Sequence, residues 1–219
     1  MILETLAEST RIRVESAKRR VSFDDLKSRI FCEGQIRRFN RREDFAFEKA
    51  LRLRDDAGIA FICEVKRASP SKGIIAPVFP YREIAVQYED AGARAISVLT
   101  EPEYFKGSDI HLKEISGIVN IPVLRKDFII DEYQIYEAKL AGADAVLLIC
   151  SLLDTATLKG FVETCDELGL SALVEAHTKE EVASAVDAGA RVVGVNNRNL
   201  RTFQVDITNC MNLRELVPE

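Results

Sequence analysis

Charged side chains stand at the ends of several short apolar runs in this sequence. The first example is FICEVKRASPSKG at 61–73, which has Glu64 inside the apolar run and Lys66 just after it. A carboxylate in a strand that is buried on both faces is unfavourable unless it is paired. A lysine beside a carboxylate in a partly dry site can serve as an acid or a base. The stretch therefore indicates either an ordinary polar strand end or part of an acid–base site.

Three later apolar runs end in the same manner, with Lys126, Glu175 and Asn196 at or just after their last residues. Each residue has a plain structural explanation when it is considered alone. Lys126 is then a solvated strand end, Glu175 an awkwardly buried acid and Asn196 a turn former. Such an explanation must account for each residue separately, whereas one shared cavity accounts for all of them. A cavity that carries several cations also suits an anionic substrate.

An internal repeat indicates how these residues are brought together. Three similar segments occur, with glycine spacings of 50 and 47 residues: DAGARAISVL at 90–99, LAGADAVLLI at 140–149 and DAGARVVGVN at 187–196. A further apolar run lies between each pair of segments, so each repeat holds two strands and two helices. A repeated supersecondary unit of this kind is typical of a fold built from stacked βα units.

The apolar runs predict six strands, at 61–65, 95–99, 121–124, 145–149, 171–175 and 192–195. Because the runs are continuous and not alternating, they indicate parallel strands that are covered by helices. An open doubly wound sheet and a closed (β/α)8 TIM barrel both fit this alternation. No G-x-G-x-x-G follows the first strand, and the two-strand repeat favours the barrel. In a barrel, the carboxyl ends of the strands would place the polar residues around one pocket.

The chain is predicted to have two parts. Residues 1–57 contain RIRVESAKRRVSFDDLKSRI and REDFAFEKALRLRDD, which we interpret as an N-terminal helical extension that packs on the barrel. Residues 58–219 form the partial barrel with strands 1–6. No linker rich in Gly, Pro or Ser separates the two.

Composition narrows the class of protein. The 219 residues are 47% hydrophobic and 30% charged, which is typical of a globular chain. The net charge of −5 disfavours nucleic acid or an anionic membrane as the partner. No apolar signal core or long apolar stretch occurs, so a soluble cytoplasmic protein is expected. The five cysteines form no C-x-x-C pair and the two histidines have no metal-ligand spacing, so no metal is expected.

Five motifs, in this order, resemble the indole-3-glycerol-phosphate synthase family. They are CEVKRASPSKG, EPEYFKGS, PVLRKDFIID, ALVEAH and VGVNNRNL. The resemblance covers essentially the whole chain and includes FEKALR in the helical extension. It implies a carbon–carbon lyase (carboxy-lyase) of tryptophan biosynthesis that uses no cofactor. The implied substrate is a phosphorylated small molecule, 1-(2-carboxyphenylamino)-1-deoxyribulose 5-phosphate, whose ring is closed with loss of carbon dioxide and water.

The resemblance also implies roles for individual residues. Lys126 is expected to protonate the ribulose carbonyl oxygen as the ring carbon attacks, and Glu175 to be the general base of later steps. Lys66 is expected to contact the substrate carboxylate and is a second candidate acid for dehydration. The division of roles between the two lysines stays open at this point. Further residues are expected to complete the site: Glu64, Asn196 and Arg198 in the polar ring, Phe105, Phe128 and Leu200 on the aromatic wall, and Ser69 at the phosphate.

Six strands are two fewer than an eight-stranded barrel contains. The last two βα units of the family therefore look absent, together with the phosphate-binding turns that follow strands seven and eight. We expect weak or no activity from this chain, and self-association through open barrel edges. Two alternatives remain: a non-catalytic barrel fragment, or another ribulose-phosphate barrel such as phosphoribosylanthranilate isomerase. The isomerase would be expected to use a cysteine and an aspartate, so Lys126 and Glu175 count against it.

Overall fold

The computed structural model describes residues 2–31, 42–52, 58–198 and 204–218. Six strands of this part form one parallel sheet in which the spatial order follows the chain order. They are β1 Ile62–Val65, β2 Ala95–Leu99, β3 Val123–Lys126, β4 Ala145–Ile149, β5 Ser171–Ala176 and β6 Val192–Val195. A doubly wound sheet reverses its strand order at a switch point, and this sheet does not. The sequential order is that of a barrel.

The helices that follow the strands, from Tyr81 onwards, cover the outer face of the sheet. In chain order, the described helices are α1 Ile2–Arg20, α2 Phe23–Phe31, α3 Ala46–Leu51, α4 Tyr81–Asp90, α5 Asp109–Ile118, α6 Tyr133–Leu140, α7 Thr155–Glu167, α8 Lys179–Asp187 and α9 Asn209–Arg214. Ser108, Asp154 and Thr178 precede α5, α7 and α8, and each side chain accepts a backbone N–H of the first turn. These caps explain why the three helices begin where they do. None of the described helices is long and apolar enough to cross a membrane.

Strand β3 differs from its prediction, because it runs two residues further than the apolar pattern indicates. Arg125 lies within the strand and is almost fully buried. Its guanidinium donates to the Gln134 carbonyl oxygen at 2.8 Å and lies 3.1 Å from Asp109 and 3.7 Å from Glu137. These partners on α5 and α6 make a buried cation tolerable. Since side chains alternate along a strand, Lys126 points to the opposite, inner face.

Helices α1 and α2 pack against α6. The sequence pattern predicted one helix over 11–30, but the chain breaks at Ser22, whose hydroxyl accepts the Asp25 N–H at 3.1 Å and caps α2. Phe23 of α2 meets Tyr136 edge-on with ring centroids 5.2 Å apart. The predicted boundary at residue 57 falls in 53–57, outside the described residues, and the two-part division stays a prediction.

Helix α3 fills the inner face of the sheet at the amino ends of the strands. Phe47 is fully buried there against Ala95, Leu124 and Ala145, one residue from each of three neighbouring strands. The larger core cluster lies on the outer face, between the strands and the covering helices. With this end of the inner face packed by Phe47, the inner face opens into a cavity at the carboxyl ends of the strands.

Candidate active site

A cavity of about 600 Å³ lies at the carboxyl ends of the strands. Nine of the ten residues predicted for the site line it: Glu64, Lys66, Ser69, Phe105, Lys126, Phe128, Glu175, Asn196 and Arg198. The tenth, Leu200, lies outside the described residues. The strand register explains the convergence, because Leu99 pairs with Lys126 and Ile149 pairs with Glu175, so that equivalent positions share a face.

Two lysines reach one carboxylate inside this cavity. Lys66 donates a hydrogen bond to Glu64 Oε1, and Lys126 Nζ lies 3.6 Å from Glu64 Oε2. The three side chains are each about one-third exposed or less. The arrangement holds two ammonium groups a short distance apart, with a net charge of about +1 if all three groups are ionised. It is therefore suited to an anionic ligand.

A buried ion pair lies directly behind Lys126. Asp127 accepts two hydrogen bonds from Arg13 of α1, at 2.7 and 2.8 Å, and one from the Thr100 hydroxyl at 2.7 Å. Burial by itself raises the pKa of Asp127, but the hydrogen bonds from Arg13 and the charge of Arg125 outweigh it and hold that pKa below its ordinary value. The pair fixes the backbone between Lys126 and Phe128, and it ties α1 to the site.

Glu101 shapes the aromatic wall of the cavity. Its buried carboxylate accepts the backbone N–H groups of Glu103, Tyr104 and Phe105 at 2.7–2.9 Å, which closes a tight turn after β2. The turn brings the Phe105 ring to 6.0 Å from the Phe128 ring. Gly107 ends the turn where a Cβ would collide with the Leu99 carbonyl group. The two rings form an apolar surface in the cavity that the lysines also line, of the kind that an aromatic ligand would contact.

The polar residues of the rim are held by local turns. Ser69 ends the first strand of a two-stranded hairpin, Ala68–Ser69 with Gly73–Ile74, and its hydroxyl accepts the Lys72 N–H at 3.3 Å. Asn196 accepts the Arg198 N–H at 2.9 Å through its side-chain oxygen. Both contacts fix the side chains over the cavity. Among the described residues, no group of three or more His, Cys, Asp or Glu is arranged to hold a metal ion.

The comparison with protein families then gives a single description. The family model of "Indole-3-glycerol phosphate synthase" matches residues 3–219. The chain belongs to this family. An indole-3-glycerol phosphate synthase of Ruminiclostridium cellulolyticum is 60% identical over 218 residues, covering all of this chain and 80% of the relative. One of Endomicrobium trichonymphae is 56% identical over 219 residues, covering all of this chain and 81% of the relative.

A solved structure shows the same fold at a greater distance. The N-acetylmannosamine-6-phosphate 2-epimerase from Clostridium perfringens matches 72% of this chain and 72% of that chain, with a TM-score of 0.55 and 15% identity. At that identity the likeness speaks for the fold alone. Together with the sequential parallel sheet, it confirms the predicted (β/α) barrel class, of which six βα units lie in the described residues.

This member of the synthase family has site residues that the sequence did not single out. Leu3 and Leu6 of α1 line the cavity, as do Leu147 and Ile149 of β4. Leu147 and Ile149 could have been predicted from the strand pattern, because residues two apart point to the same face of β4. Leu3 and Leu6 also belong to a pattern, because positions 3, 6, 10 and 13 lie on one face of α1 and the last of them is Arg13. The sequence does not indicate that this face meets the site, which only the contact between Arg13 and Asp127 shows.

Proposed function

We propose that this cavity carries out the indole-3-glycerol-phosphate synthase reaction on 1-(2-carboxyphenylamino)-1-deoxyribulose 5-phosphate. One observation carries the proposal: Lys66 and Lys126 converge on Glu64 in a cavity that the rings of Phe105 and Phe128 also line. The substrate has the complementary parts, an aromatic ring and two anionic groups. Family membership favours the synthase over the isomerase that the sequence left open.

The proposed first step is ring closure. The ring carbon that bears the carboxylate attacks the ribulose C2 carbonyl, and the Lys126 ammonium gives a proton to the carbonyl oxygen. The carboxylate then leaves as carbon dioxide, and the electrons of the broken carbon–carbon bond restore the aromatic ring. The apolar wall of Phe105 and Phe128 would hold the ring flat against the ketone, which favours the reactive geometry.

The proposed second stage is dehydration. The new hydroxyl leaves as water after it receives another proton, for which Lys66 is placed on the same carboxylate as Lys126. Glu175, which also lines the cavity, takes the proton that must leave C1 as the indole double bond forms. Lys126 and Lys66 each give one proton and Glu175 takes one, so one proton is consumed overall. This balances the reaction, in which a carboxylate is lost as neutral carbon dioxide and a hydroxyl is lost as neutral water.

A direct assay tests the proposal. The 219-residue chain, in excess over the substrate, is followed by the fluorescence of indoleglycerol phosphate, because single-turnover conditions detect even a slow reaction. We expect slow formation of product by the wild-type chain, at the weak end of the activity predicted from the sequence, and a further loss of about 100-fold or more in Lys126→Ala. The matched control is Lys113→Ala, which removes an exposed lysine of α5 and is expected to leave the rate unchanged. Absence of product from the wild-type chain, or equal rates in both variants, contradicts the proposal.

A further inference from the structure

His177 stands between two carboxylates at the end of β5. Its Nε2 atom lies 3.5 Å from Glu175 Oε1, and its Nδ1 atom lies 3.1 Å from Glu181 Oε2. The side chains of His177, Glu175 and Glu181 are 12%, 14% and 21% exposed. Glu175 lines the cavity, whereas His177 and Glu181 do not. The imidazole is therefore placed behind the proposed general base, and the proposed mechanism gives it no role.

Glu181 is fixed independently of the imidazole. One carboxylate oxygen accepts the His177 backbone N–H at 2.6 Å, and the other accepts the Ser151 hydroxyl at 2.6 Å. The residue also lies in the first turn of α8, where the helix dipole favours a negative charge. Because this anchored oxygen faces Nδ1, the ring is held with that nitrogen towards Glu181 and with Nε2 towards Glu175.

The Nε2 atom of His177 is buried and has no hydrogen-bond partner within the described residues. Buried polar atoms are rarely left in this state, and an exception calls for an explanation. The atom aims at Glu175 at a distance slightly longer than a good hydrogen bond. A small rotation of the Glu175 side chain would close the gap, and catalytic hydrogen bonds often shorten only when the substrate is bound.

The surroundings of the ring favour its charged form. Burial lowers the pKa of His177, but the hydrogen bond to Glu181 and the charges of Glu175 and Glu181 outweigh it and raise that pKa above its ordinary value. The thiol of Cys150 faces the same helix turn, with Sγ 3.5 Å from the Glu181 carbonyl oxygen. Burial and the two carboxylates raise the pKa of Cys150 to about 12, so it stays a neutral thiol. On the other side, the amide of Asn209 donates to the His177 carbonyl oxygen and adds no charge.

We propose that His177 is a positioning residue for Glu175, which it orients through Nε2–H while Glu181 holds the ring through Nδ1. The inference rests on the proposed function, since it assigns a support to the base of that reaction. The Nε2–H group of the imidazole points at the Glu175 carboxylate and can donate to it. It also limits the side chain to one orientation in the cavity, which a base needs for repeated transfer.

The first test does not require activity. The chain has only two histidines, His177 and His111, and His111→Asn assigns their ring signals in an NMR titration. We expect His177 to titrate above the ordinary value and His111 below it, because burial and the charge of Arg67 lower the pKa of His111. Glu175→Gln should move the His177 titration to lower pH and leave His111 unchanged. If His177 does not respond to Glu175→Gln, the proposed contact is wrong.

The second test measures kcat and KM in His177→Asn and in the matched control His111→Asn. We expect kcat to fall about tenfold in His177→Asn with little change in KM. His177→Gln, whose amide can still donate towards Glu175, should recover part of kcat. The control should match the wild-type chain in kcat and in KM.

The outcomes separate this inference from the proposed function. A wild-type chain without synthase activity contradicts the function, while the NMR titration still decides whether His177 and Glu175 interact. If the wild-type chain is active and kcat is unchanged in His177→Asn, the positioning role is overturned. Should His177→Asn fail to fold, Glu181→Gln releases the ring without removing it and should produce the same loss of kcat with little change in KM. Unchanged kinetics in a folded Glu181→Gln variant would likewise overturn it.

Discussion

At the scale of single residues, Lys66 and Lys126 are close in space but come from different strands. Both ammonium groups meet Glu64, yet only Lys126 is followed by the buried Asp127 that anchors its backbone. We expect the anchored lysine to serve ring closure and the lysine of the first strand to serve dehydration. In a rapid-quench experiment, Lys66→Ala should accumulate a cyclised and decarboxylated intermediate, whereas Lys126→Ala should accumulate unreacted substrate. The reverse pattern would exchange the two roles.

The positions of these residues were largely predictable because parallel strands follow a simple rule. Inward positions alternate along each strand, so Glu64, Lys126 and Glu175 had to meet once the barrel was inferred. Phe105 could not be placed in this way, because its position depends on the turn that Glu101 closes. The motif resemblance implied a place for Phe105 on the aromatic wall; Phe105 lines the cavity, and only the structure shows what holds it there. The support of Glu175 by His177 could not be predicted from the sequence, because it depends on Glu181 of α8, which lies four residues after His177 and holds its ring.

At the scale of elements, α1 is attached to the sheet through Arg13 and Asp127. The carboxylate is fully buried, so Arg13→Ala leaves it without its main partner and should lower the free energy of unfolding by about 3 kcal/mol. Urea unfolding measures this change. The matched control is Arg19→Ala on the same helix, whose pair with Glu15 is largely exposed and 3.9 Å long, and which should cost less than about 1 kcal/mol. Similar losses in the two variants would contradict a specific role for Arg13.

The same pair predicts a pH dependence for the stability of the wild-type chain. Because the folded-state pKa of Asp127 is lowered, its contribution is fully present above the ordinary value of 3.8 and is lost as the pH falls through the lowered value. The difference in unfolding free energy between the wild-type chain and Arg13→Ala should therefore shrink when unfolding is measured below about pH 4. A difference that stays constant down to pH 2 would mean that the Asp127 charge is not its source.

The sequence predicted which elements exist better than it predicted where they end. The glycine repeats gave six strand–helix units, and five of the six strands lie within one residue of their predicted bounds. Strand β3 was misplaced because the pattern treats Arg125 as a strand end, while Asp109 and Glu137 make its burial possible. The hairpin at 68–74 was missed, since strands of two residues have too few positions for any period to be detected.

At the scale of the whole molecule, the sheet has two edges in the part of the chain that the structure describes. Strand β1 pairs only with β2, and β6 pairs only with β5. Phe61, at the β1 edge, is 63% exposed, and Ile59 beside it is 77% exposed. Unpaired strands with exposed apolar side chains readily pair with other chains. We propose that the 219-residue chain associates with a second copy through this edge.

Analytical ultracentrifugation over a range of concentrations tests this association. The wild-type chain should shift from monomer to dimer as its concentration rises, and Phe61→Lys should move that transition to at least tenfold higher concentration, because a charge at an edge opposes pairing. Ile110→Lys is the matched control, since Ile110 is also 63% exposed but lies on α5, away from both edges. The control should associate like the wild-type chain. If both lysine variants weaken association equally, the contact is general surface hydrophobicity, and if neither does, the edge is not the interface.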